Sequence, residues 1–148
     1  MRTTFAIFCI LLLGTLAHAA VTARAGKYTV AITAQPAVPA SGDNLFVLTV
    51  TDGGQPLTGA AVAVHADMTS MSMPVDAVAA PGRTPGEYGA TVPLAMAGAW
   101  TLDVAVHQMA GMTMDGDGTA HFLVKTGSGI TTVTQPPVNA PALTFSRA

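Results

Sequence analysis

Apolar and polar residues alternate along most of this chain with the period of a β-strand. In residues 27–34 (KYTVAITA), Tyr28, Val30 and Ile32 share one face. Residues 44–51 (NLFVLTVT) are the strongest predicted strand. Residues 60–66 (AAVAVHA) turn Val62 and Val64 inward and His65 outward. Residues 99–106 set Trp100, Leu102, Val104 and Val106 against Thr101, Asp103 and Ala105, and residues 119–125 turn Phe122 and Val124 inward. A weak strand is predicted over 75–79, and another strand over 87–92. Gly and Pro clusters separate the runs: Pro36, Pro39 and Gly42, then Asp52-Gly53-Gly54, Pro81-Gly82 and Thr84-Pro85-Gly86. Helical periodicity is poor throughout, and 15 glycines and 10 prolines work against it. These seven short strands predict an all-β, immunoglobulin-like β-sandwich, cupredoxin-like at the coarse level. The Cys…Trp…Cys signature of true immunoglobulin domains is missing, so the expectation concerns architecture alone.

The ends of the chain depart from this pattern. Arg2 precedes an almost purely apolar run from Phe5 to Leu16, followed by Ala17-His18-Ala19. That order is the signature of a secretory signal peptide cut before Ala20, and the run is short for a membrane span. Residues 1–19 are therefore read as signal, 20–126 as a β-sandwich metal-binding domain, and 127–148, with Pro136-Pro137 and Pro141, as an extended or disordered tail. The expected location is the periplasm or outside the cell, with no membrane insertion of the mature chain.

Composition narrows the function. Charged residues make up 9% of the chain and its net charge is -2, which excludes the basic footprint of a nucleic-acid binder. Cys9, the one cysteine, lies inside the signal, so the mature chain has neither a disulfide nor a thiolate metal site. It keeps seven methionines, and six of them stand in two arrays. The first is His65-Ala-Asp-Met68-Thr-Ser-Met71-Ser-Met73; the second is His107-Gln-Met109-Ala-Gly-Met112-Thr-Met114.

Methionine is normally a core residue or a filler of gaps. Interleaved Thr, Ser, Gly and Asp fit that role poorly, and both arrays fall where the chain is expected to turn. Clustered thioethers are neutral soft donors that suit Cu(I) or Ag(I), and histidine adds a borderline nitrogen. If the seven strands alternate in direction, the loops at 67–74 and 93–98 share one end of the sandwich. The donor sets are then His65, Met68, Met71 and Met73 with Met96, and His107, Met109, Met112 and Met114 with His121. Were the weak strand at 75–79 absent, the arrays could converge on one site. Asp67, Asp115 and Asp117 are candidate carboxylate partners for the histidines.

Several pieces resemble the YtkA-like family of small secreted β-sandwich domains: residues 42–50 (GDNLFVLTV), 55–62 (QPLTGAAV), Met68 to Met73, Pro85-Gly-Glu-Tyr88 and residues 94–102 (LAMAGAWTL). The resemblance implies a Met-containing loop and a Met-x-Gly-x-Trp turn, and it gives Met68, Met71, Met73 and Met96 a functional role. It also implies a setting near copper efflux or delivery systems. The second array is less typical of the family.

No catalytic constellation emerges from the spacing. No Ser–His–acid set can be assembled, Glu87 has no carboxylate partner, and no glycine-rich phosphate loop follows a strand. The chain is therefore read as a non-enzyme. The expected function is a copper carrier, buffer or chaperone favouring Cu(I), with Ag(I) as surrogate and a copper-handling membrane or periplasmic protein as partner. The competing class is a metal-independent interaction module whose Met-rich rims dock onto another protein.

Overall fold

The computed structural model describes residues 19–110, 113–114 and 117–133. Residues 1–18 of the expected signal, Met112, Asp115 and most of the expected tail lie outside them. The elements are β1 (Val21–Ala25), β2 (Tyr28–Gln35), β3 (Gly42–Asp52), β4 (Gln55–Pro56), β5 (Ala61–Met68), β6 (Val75–Val78), β7 (Ala80–Pro81), β8 (Glu87–Leu94), β9 (Ala99–His107), β10 (Met109–Ala110), β11 (Thr113–Met114), β12 (Gly118–Lys125) and β13 (Gly129–Thr132).

Two antiparallel sheets make the sandwich. Sheet A runs β1-β2-β3-β8-β7, with β4 also paired to β3; sheet B runs β13-β12-β9-β5-β6. The class is the expected one, but eleven strands rather than seven build the two sheets. The additional ones are short or lie at edges, where alternation is weak. Gly129–Thr132, read from sequence as tail, is an edge strand paired to β12. The short β10–β11 hairpin pairs with neither sheet.

Strand parity builds the core. Tyr28, Val30, Ile32, Phe46, Leu48, Val50, Tyr88, Val92 and Leu94 point inward from sheet A. Val62, Val64, Trp100, Leu102, Val104, Val106, Phe122 and Val124 meet them from sheet B. The chain crosses from sheet B to sheet A at Ala79, whose N–H bonds the Val62 carbonyl at 2.9 Å.

Tyr88 explains two of the short sequence pieces together. Its buried hydroxyl donates to the Leu57 carbonyl at 2.8 Å and accepts from the Ala60 N–H at 3.1 Å, tying residues 57–60 to β8. Tyr88→Phe is expected to cost about 1–3 kcal/mol, because it strands both backbone groups without a partner. Urea unfolding of the two proteins, with the midpoint lowered at constant slope, checks this.

Candidate functional site

The register fixes which donors can meet. Met68 lies opposite Trp100, and Ala61 lies opposite His107, at the two ends of the β5–β9 pair. β6 exists and pairs with β5. The Met68–Met73 loop therefore shares an end with the 95–98 turn, and the β10–β11 hairpin lies at the opposite end. The eight residues of β5 separate the two ends by roughly 23 Å, at about 3.3 Å per residue.

At the first end, backbone and side-chain bonds hold the two loops in place. The Thr69 N–H donates to the Ala99 carbonyl at 3.0 Å, and its hydroxyl reaches the same oxygen at 3.1 Å. The buried Trp100 indole donates to the Met96 carbonyl at 3.1 Å. Gly98 supplies the close approach: a Cβ there would run into the Met68 methyl, and its N–H donates to Thr126 Oγ1 at 2.8 Å. Met-x-Gly-x-Trp is thus a packing motif that holds Met96 at the rim. On the other loop, Asp67 Oδ1 accepts from the Met73 N–H at 2.6 Å and closes the turn that carries Met71.

The thioethers at this end are not equivalent. Met68 is 9% exposed and belongs to the core. Met73 is half-buried against the core. Met71 and Met96 are 49% and 45% exposed. His65 does not join them. It stands three residues from Met68, an odd spacing on a strand, so their side chains leave opposite faces of sheet B.

At the second end, His107 Nδ1 lies 3.1 Å from Asp117 Oδ2. The hairpin register puts Met109 opposite Met114. His121 is not brought to this end. It lies four residues beyond Asp117 along the chain, and its Nδ1 donates to Asp103 Oδ1 at 2.7 Å.

All three described histidines thus have an aspartate on Nδ1: His65 with Asp76 at 2.6 Å, His107 with Asp117 and His121 with Asp103. Of the carboxylates expected beside histidines, Asp117 takes that place, whereas Asp67 bonds backbone. Asp76 and Asp103 carry no local sequence signal, because their partners are set by long-range register. Among the described residues, no group of three or more His, Cys, Asp or Glu stands gathered for a metal ion.

The hydrogen bond to Asp76 holds the His65 pKa above its ordinary value; the charges of Asp76, Asp103 and Asp67 add to this, and burial opposes it. A raised histidine pKa stabilises the fold below the unfolded value near 6.5, and that contribution disappears as pH rises through the folded pKa. Asp76→Asn in chelator is therefore expected to melt below the parent at pH 5.5, with the difference shrinking by pH 8.5. Thermal melts at the two pH values check this.

Fold and rim together define a small antiparallel sandwich with methionine-bearing loops at both ends. The chain belongs to the YtkA-like family, whose sequence profile matches residues 22–105. That span includes the first methionine array and Met96 and excludes the second. No curated protein and no solved structure matches the chain. Among the described residues, no helix is long and apolar enough to cross a membrane.

Proposed function

We propose that this protein is a periplasmic or secreted copper carrier, buffer or chaperone that holds Cu(I) at its methionine-bearing ends. In this reading it passes the ion to a copper-handling membrane or periplasmic protein and catalyses no reaction. The observation that carries it is the first end: two loops held by the bonds of Thr69 and Trp100 leave the Met71 and Met96 thioethers about half exposed at the same end. Burying a methionine side chain stabilises a fold by about 1.5–3 kcal/mol, and these two give up much of that. A thioether binds a soft ion without losing a proton, so exposed Met71 and Met96 on two loops of one end, with half-buried Met73 on the first loop, suit an exchangeable Cu(I) site. In the same reading the second array of the sequence, His107, Met109, Met112 and Met114, is a second donor set, and His107 ends β9 at the far end. Asp117 on His107 Nδ1 leaves Nε2 to face an ion.

Secretion fits the strand map, because β1 begins at Val21 and cleavage before Ala20 leaves every described strand intact. Mass spectrometry of the exported protein should give an N-terminus near Ala20. Titration of the metal-free mature chain with Cu(I) and with Ag(I) tests the function. Saturable binding of both ions is expected, and no affinity for either would end the carrier reading.

A further inference from the structure

The exposed thioethers of the first end take no part in the bonds that hold their loops. Trp100 is anchored on the Met96 backbone carbonyl, and the turn that carries Met71 is closed by Asp67 on the Met73 N–H. Met71 and Met96 are about half exposed while backbone atoms hold their loops. We propose that Met71 and Met96 are modification sites: hydrogen peroxide oxidises both to methionine sulfoxide, and the change releases a soft metal ion from this end. The release rests on the Cu(I) reading given above; the sites of oxidation do not.

The reaction is a two-electron oxygen transfer. A lone pair on the thioether sulfur attacks one peroxide oxygen, and the O–O bond breaks. The departing hydroxide takes the proton from the transferred oxygen and leaves as water. Sulfur is oxidised, peroxide is reduced, and no other reactant is needed. The new oxygen draws electron density from sulfur and is itself a hard donor, so a ligand suited to Cu(I) becomes one poorly suited to it.

Packing decides which sulfurs react. The oxidant must reach the sulfur, and the added oxygen needs water or a hydrogen-bond donor. Met68 offers neither, because it is packed in the core with its methyl against Gly98. Met73 is half-buried against the core and should react more slowly than the exposed residues. At Met71 and Met96 the new oxygen is open to hydration, so it strands no polar group and breaks no backbone bond. The fold is therefore expected to survive oxidation here, and enzymatic reduction of the sulfoxide restores the donor.

Timed treatment of the metal-free mature chain with hydrogen peroxide, mapped by fragment-ion mass spectrometry, tests the sites. Met71 and Met96 should gain oxygen about tenfold faster than Met68, because susceptibility follows exposure. Unfolding in urea should bring Met68 to the same rate. Emission of Trp100 in the oxidised folded chain should match that of the untreated one, since its partner is a backbone carbonyl. Ag(I) titration before and after oxidation reads the release without the side reaction of Cu(I) with peroxide. In the Met109→Leu, Met112→Leu, Met114→Leu variant, which keeps the first end alone, peroxide should remove the one Ag(I) equivalent and methionine sulfoxide reductase should restore it. Met68 oxidised as fast as Met71 and Met96 in the folded chain would overturn the proposal, as would an Ag(I) equivalent unchanged when both are oxidised. Absence of Ag(I) binding before any peroxide is added would overturn the carrier reading and the release together, while the order of oxidation still decides the modification sites.

Discussion

Leucine at both Met71 and Met96 is expected to remove one equivalent of bound Cu(I) and to leave the other in place. Leucine preserves most of the apolar volume and deletes the sulfur, so the fold and any apolar docking surface survive while the ligands do not. The reciprocal change at Met109, Met112 and Met114 should spare the first equivalent, because sites separated by roughly 23 Å along β5 behave independently. Met68→Leu should matter little to metal, since its thioether is packed in the core. Stoichiometry by competition against a Cu(I) chelator of known affinity checks all three. Loss of both equivalents from either leucine set would point to one shared site, against the strand register. A metal-independent docking module predicts partner binding that persists in both leucine variants and in the presence of chelator.

Gly118→Ala is expected to cause the largest loss of stability from a single methyl group, about 3 kcal/mol or more. A Cβ at Gly118 would run into the backbone of Ala25 and Gly26, where the turn between β1 and β2 sits on the start of β12. Backbone atoms cannot swing aside as a side-chain tip does. Against a total stability of about 5–15 kcal/mol for such a domain, the melting temperature should fall by more than about 10 °C. The strain falls next to Asp117, so the His107 pair at the second end should loosen as well. Calorimetric melts check the first effect, and the chemical shifts of the His107 ring check the second. A variant as stable as the parent would mean that this turn is not seated on β12.

Much of the fold was legible because one face of each main strand is buried. Residues 99–106 alternate along their length and residues 44–51 are rich in large apolar residues, and their inward sets, from Phe46 to Val50 and from Trp100 to Val106, belong to the core. β13 was not legible. A four-residue edge strand containing Gly129 buries too little to impose a pattern. The first methionine end was legible in outline, since counting strand directions already joins the 67–74 loop to the 93–98 turn.

Array spacing groups His65 with Met68 and strand direction groups His121 with His107, and sheet geometry divides them differently. The odd spacing of His65 and Met68 was visible and places them on opposite faces. The union of His121 with Asp103, and of Asp103 with His65, depends on register across three strands, which no local spacing reveals. Likewise, burial of Met68 beside exposed Met71 could not be read from a repeat in which the methionines look alike.

X-ray absorption at the copper edge of the Cu(I)-loaded mature protein, held at pH 5, tests the thioether assignment most directly. Methionine sulfur does not titrate, whereas ordinary imidazole is largely protonated at that pH and has no lone pair to give. Copper retained with sulfur neighbours, and lost from one of two equivalents in the Met71→Leu, Met96→Leu variant, is the predicted result. Copper surrounded only by nitrogen and oxygen, or released entirely on acidification, would contradict it.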